Sequence, residues 1–254
     1  MISKNLKKHF DQSKKFAGFS LIELLVTISV IAVLLTILIP VIGVVRDSAK
    51  KTKSLSNLRQ IASAMKMYSS DHDGLYPIGY REPPEGTPGY AIYWYLEIAP
   101  YLNHETISKD ESNNVLISPF LEREIATIGH IDGGAVRNSP CTYSVHGLIC
   151  SSVDRFPVWN IKENHSEIIL VGEGTQNQWG FADATFRNPA EWQNAPTTPF
   201  TNAQLENTIP TYSEFQRGVL SYRANNHTLV AFLDGHVGAL EKGTVQYKNI
   251  VINP

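Results

Sequence analysis

The sequence predicts an α+β protein in which a long N-terminal helix packs on the antiparallel sheet of a C-terminal head domain. Three observations carry that expectation. An apolar run of about 27 residues extends from Phe19 to Val45, long enough to cross a bilayer as a helix. From Arg46 onward Leu55, Leu58, Ile61, Ala62, Met65 and Tyr68 recur at three- and four-residue steps among Lys, Ser, Asn, Arg and Gln, the pattern of a helix with one apolar stripe. Beyond Pro77 the chain turns to short apolar runs broken by Gly, Pro, Asn and Asp, the texture of strands and turns. The expected boundaries are a leader over 1–18, a membrane helix over 19–45, a stalk helix over 46–74 and a soluble head over 75–254.

The leader is basic: Lys4, Lys7, Lys8, Lys14 and Lys15 stand against Asp11 alone. The whole chain has a formal net charge of −2, and removing residues 1–18 takes away five cations and one acid, leaving −6. A mildly acidic remainder offers no electrostatic footprint for nucleic acid. A secretory signal peptide would have a hydrophobic region of about 7–15 residues followed by a small-residue cleavage site. Here the run is longer, and Ala17-Gly18 precedes it. Arg46, Lys50, Lys51 and Lys53 flank the far side of the run, so loop charge leans only slightly toward a cytoplasmic N terminus.

Glu23 interrupts the apolar run near one end. An acid in mid-membrane costs roughly 2.5–3.5 kcal/mol on insertion scales, less toward the edge, and calls for a partner. Pro40 and Gly43 lie further along. Pro40 lacks an amide donor and crowds the preceding turn, which predicts a kink or local melting. Read as one helix, residues 20–70 would span on the order of 75 Å. Asp71-His72-Asp73-Gly74 ends it, with Gly74 expected to supply the left-handed turn.

In the head, Arg81 to Gly89, with three prolines and two glycines, reads as loop. Ala91 to Leu102 reads as a short aromatic helix on the sheet. Thr142–Ile149, Glu167–Gly172 and Gly218–Arg223 read as strands, and the region 187–213 as a long irregular excursion. Thr228–Leu233 and His236–Leu240 flank Asp234-Gly235, which predicts a hairpin closed by a two-residue type I′ turn.

Little in the sequence points to catalysis. There is no Gly-x-Ser-x-Gly, no His-Glu-x-x-His and no phosphate-cradling glycine loop. Cys141 and Cys150 are open to two readings, a local disulfide outside the cytoplasm or two buried apolar thiols. Asp71-His72-Asp73 resembles a metal patch, but capping explains it better, and no metal or cofactor is expected. Tyr93, Trp94, Trp159, Trp179 and Trp192 could line a glycan site, though core packing accounts for most such residues. For Glu23, a cut between Gly18 and Phe19 would create an amino terminus four residues, about one helical turn, ahead of the acid. That amine and the carboxylate of an adjacent subunit would neutralise one another and set an open-ended stagger between chains.

Gly18-Phe19-Ser20-Leu21-Ile22-Glu23-Leu24-Leu25-Val26 behind its basic leader resembles the processing site of type IV pilins and type II secretion pseudopilins. The stretch Asn57-Leu58-Arg59-Gln60-Ile61 through Tyr68 to Asp73-Gly74-Leu75-Tyr76-Pro77 is similar to the stalk and first loop of major pseudopilins. The resemblance implies cleavage after Gly18 by a prepilin peptidase that also N-methylates Phe19, a guiding role for Glu23 in assembly, and a family match for Pro40. Arg223 through Asp234-Gly235-His236-Val237 resembles the C-terminal signature of a set of prepilin-processed proteins. In that set a His precedes Asp-Gly by ten positions, where this chain has Ala224 beside Arg223. The calcium loop of major pseudopilins has no counterpart.

The implied protein is a non-enzymatic filament subunit of a pilus or pseudopilus. It would be single-pass in the inner (cytoplasmic) membrane with its head periplasmic or extracellular, and its partners would be the peptidase and other pilin-like subunits. The alternative is a pilin-anchored surface binding module, or adhesin, that recognises a glycan or another extracellular ligand. A membrane-anchored enzyme is disfavoured, because no nucleophile–base or metal set can be named.

Overall fold

The computed structural model describes residues 20–81, 92–102, 114–121, 141–151, 157–176, 182, 185–186 and 219–252. The chain divides into two units, residues 1–46 and 47–254. Helix α1, Leu21–Asp71, contributes to both.

In the first unit every side chain of α1 is exposed, and the helix is long and apolar enough to cross a membrane. Its hydroxyls turn inward: Thr27 donates to the Leu24 carbonyl, Ser29 to Leu25 and Thr36 to Ala32, each at 2.8 Å. A polar group in hydrocarbon must be satisfied within the segment, and these are. Of the kink or local melting expected at Pro40, the melting does not occur, since the helix runs through it unbroken. Proline removes only one backbone bond here, too little to end a helix supported on both sides.

In the second unit the C-terminal half of α1 buries the stripe read from the sequence. Leu58, Ile61, Ala62, Met65 and Tyr68 are buried and Leu55 is partly so. The helix stops in a Schellman arrangement, with the Gly74 N–H on the Ser69 carbonyl at 2.8 Å. The left-handed turn begins one residue earlier than expected, at Asp73 (φ 50°), and continues through Gly74 (φ 74°).

The strands are β1 (Tyr80–Arg81), β2 (Ile92–Tyr93), β3 (Tyr143–His146), β4 (Ile169–Glu173), β5 (Thr185–Phe186), β6 (His227–Phe232) and β7 (Val237–Glu241). β1 and β2 pair with each other, and the other five form one sheet in the order β5-β3-β4-β6-β7. β3, β4, β6 and β7 run antiparallel, as expected. β5 joins β3 in parallel, so the sheet is mixed. Alternation along β6 builds a core on each face: Leu229 and Ala231 face the cluster containing α1, and Val230 and Phe232 face a second with Ile169, Phe186, Val245 and Ile250.

Three further expectations change. Arg81 belongs to β1, paired with Ile92, and the rest of the loop over 82–89 lies outside the described residues. The aromatic segment opens with β2 before becoming helix α2 (Trp94–Ile98) and a 3-10 turn, Ala99–Leu102. Of the strand expected over Gly218–Arg223, Gly218 lies outside the described residues, and residues 219–223 hold no strand, because Leu220 makes a single bridge to Gly174 and the chain then turns. The excursion over 187–213 lies outside the described residues.

The C-terminal hairpin is present, but its turn is not type I′. Gly235 alone has positive φ (96°). The Phe232 carbonyl accepts from Gly235 at 2.8 Å, and the Phe232 N–H donates to His236 at 2.9 Å. The result is a three-residue loop with a glycine bulge. Asp234 keeps negative φ because its carboxylate accepts the His236 N–H at 3.0 Å, an Asx turn. A tight turn with two left-handed residues sits instead at Asn225-Asn226 (φ 51° and 65°), where Ala224 and His227 exchange both backbone bonds.

Candidate functional site

The N terminus of α1 is built by Ser20-Leu21-Ile22-Glu23. The Leu24 N–H reaches the Ser20 carbonyl at 3.2 Å, and the Ser20 N–H donates to Glu23 Oε2 at 2.8 Å. The Glu23 side chain therefore folds back over the start of its own helix, as the acidic member of a capping box does. The spacing Ser-x-x-Glu carried this signal, and the sequence reading passed over it. A carboxylate there also meets the positive end of the helix dipole. Gly18 and Phe19 lie outside the described residues.

At the opposite end of the chain, the Asp234-Gly235 turn is tied to α1. Lys66 Nζ donates to the Asp234 carbonyl. A Cβ on Gly235 would stand 2.8 Å from that nitrogen, so this position combines positive φ with a close approach. Partial burial pushes the Asp234 carboxyl upward, but the His236 N–H, the His236 ring at 2.7 Å and the Lys66 charge together hold it below the usual carboxylate range. The His236 ring stacks on Phe232 with centroids 4.1 Å apart. Arg223 Nη2 donates to the Gly174 carbonyl at 2.9 Å, while its buried Nε and Nη1 find no acceptor among the described residues. Where the related signature has histidine, Ala224 is buried and serves the Asn225-Asn226 turn through its backbone.

One polar cluster was not legible in the sequence. Glu173, at the end of β4, is 0% exposed. Its Oε1 accepts the Ser54 hydroxyl of α1 at 2.8 Å and the Ser118 hydroxyl, and the Tyr143 hydroxyl lies 3.1 Å from Ser54 Oγ. Burial and the neighbouring carboxylate both push the Tyr143 hydroxyl well above the usual phenol range. Buried polar groups need such partners, and this set ties α1, the 114–121 segment and two strands together.

The remaining candidates have structural employment. Cys141 and Cys150 are both buried, and burial pushes the Cys141 thiol up to about 12, which makes it unreactive. Asp71 accepts the Tyr101 hydroxyl at 2.9 Å, and His72 stacks on Tyr68 at 3.8 Å. Among the described residues no group of three or more His, Cys, Asp or Glu could hold a metal. Trp94 is core, Tyr93 is partly buried, and Trp159 is 64% exposed with its ring against Gly74. Trp179 and Trp192 lie outside the described residues.

Comparison with known proteins places two matches within residues 13–115. Residues 13–39 match the prokaryotic N-terminal methylation motif. Residues 44–115 match a family described as proteins of unknown function (DUF1559). No curated protein and no solved structure matches. The long apolar helix and methylation motif fit membrane anchoring as a single-pass protein. The chain thus carries a prepilin-type N-terminal segment, and its long helix and five-stranded mixed sheet make a pilin-like α+β arrangement.

Proposed function

We propose that the protein is a structural subunit of a type IV pilus-like or type II secretion pseudopilus filament. It is stored in the inner membrane with its head outside the cytoplasm, and a prepilin peptidase cuts it between Gly18 and Phe19. The observation that carries this reading is an apolar helix surface exposed at every residue from Leu21 to Val45, most of it within a methylation motif, with Glu23 its one acid. Such a surface has two uses, contact with lipid and contact with copies of itself. The Glu23 carboxylate exchanges its own Ser20 N–H for the methylated amine of a neighbouring subunit, neutralising both charges where water is absent.

Glu23→Gln separates this role from capping, because glutamine retains the back-bond to Ser20 and loses the charge. The expected result is normal membrane content and no filaments from Glu23→Gln and Glu23→Ala alike. Filaments from the Gln variant would refute the charge-pairing role. N-methyl-Phe at position 19 in the membrane-extracted protein is the companion test, and an intact Met1 would overturn the processing. A second reading, a pilin-anchored glycan-binding module, draws support from the exposed Trp159. It predicts glycan retention by the full chain that Trp159→Ala abolishes.

A further inference from the structure

We infer that Lys50, Lys51 and Lys53 on α1 form a docking surface for anionic phospholipid headgroups, an inference that rests on the membrane-anchored reading above. The apolar exposed stretch of α1 ends at Val45, and the first fully buried residue of the helix is Ser54, at 0% exposure. All four cations fall in the eight residues between, with Asp47 the single acid among them. Arg46 and Lys53 are exposed, and Lys50 and Lys51 are partly so. A step of three residues places Lys50 and Lys53 on one side of the helix, with Lys51 about 100° round from Lys50.

Among the described residues, Arg46, Lys50 and Lys51 enter no ion pair; the Lys50 ammonium instead lies 5.8 Å from the Phe120 ring centroid, a contact that leaves its donors open. A net positive girdle directly after an apolar span is placed at the headgroup level of the leaflet where the helix emerges. Anionic headgroups such as phosphatidylglycerol in that leaflet attract each cation by ordinary Coulomb attraction, and long lysine stems reach them.

The test uses the full chain in detergent micelles doped with phosphatidylglycerol or phosphatidylcholine, with bound lipid counted by native mass spectrometry. The wild type is expected to retain phosphatidylglycerol in preference to phosphatidylcholine. Lys50→Gln/Lys51→Gln/Lys53→Gln is expected to lower that preference by about tenfold or more, and 0.5 M salt to lower it likewise. Lys51→Gln alone, which leaves the Phe120 contact intact, is expected to give a smaller drop in the same direction.

Equal retention of the two lipids by the wild type would overturn the inference while leaving membrane anchoring intact. Unchanged retention by the triple variant would also overturn it, and would point to acidic protein partners if filament yield fell instead. A chain that alkaline carbonate extracts from membranes would overturn both the inference and the anchoring on which it rests.

Discussion

His146 gives the head a defined acid sensitivity. The ring is fully buried at the end of β3, where Nε2–H donates to the Ile250 carbonyl at 2.6 Å and Nδ1 accepts the Leu148 N–H at 3.2 Å. Both nitrogens are thus committed to the neutral tautomer, and a second proton on Nδ1 would oppose the Leu148 N–H. Burial lowers the ring to about 4 from an ordinary 6.5, and the Ile250 carbonyl opposes only part of that shift. Above pH 6.5 the imidazole is neutral folded or unfolded and costs nothing. Between 6.5 and 4 the unfolded chain takes up the proton and the native state does not, so stability falls as pH falls. Below 4 the loss is complete. A shift of about 2.5 pH units at about 1.36 kcal/mol each amounts to about 3 kcal/mol, or roughly 6–12 °C in Tm for a unit of this size.

Carboxylates titrate in the same window, so the assay compares the detergent-solubilised wild type with His146→Gln between pH 7.5 and 4.5. The variant is expected to start less stable and to lose about 2–3 kcal/mol less on acidification. A ring-proton titration by NMR provides the direct check. A His146 midpoint near 6.5, or the same acid loss in both proteins, would refute the reasoning.

Three further outcomes follow from particular contacts. Gly74→Ala places a Cβ 2.0 Å from the Trp159 ring at a φ of 74°, and should cost at least about 2 kcal/mol. Gly74→Ala/Trp159→Ala should recover part of that loss, and the absence of any recovery in thermal melts would discount the clash. Met65→Ala empties a fully buried position on the α1 stripe and should cost about 2–5 kcal/mol by denaturant unfolding, against less than about 0.5 for exposed Arg59→Ala. Asn225→Gly should be neutral or slightly stabilising, whereas Asn225→Val should cost about 1 kcal/mol or more, because only the former accepts φ 51° freely.

Local chemistry made some of the fold legible. The extent of α1, its buried stripe and its stop before Leu75 follow from spacing and capping within a few residues, and there the reading and the structure agree closely. The hairpin position was equally local, but its turn type was not. Asp-Gly permits both the two-residue turn and the glycine bulge, and the choice falls to the Asp234 carboxylate, which binds the following amide, and to Lys66, which holds the Asp234 carbonyl from another element.

By itself, the amino-acid order determined the membrane-length apolar helix, the amphipathic continuation and the methylation motif around Gly18, Phe19 and Glu23. Each of these is written in residues one or two helical turns apart. Only the tertiary structure decided the rest: the parallel entry of β5, the single bridge at Leu220 in place of an expected strand, and the burial of Glu173. Ser54 and Ser118 bond that carboxylate from 119 and 55 positions away in the chain, and Tyr143, 30 positions away, reaches it through Ser54. No periodicity records such a meeting, because the free energy that selects it comes from closing distant segments around one buried polar group.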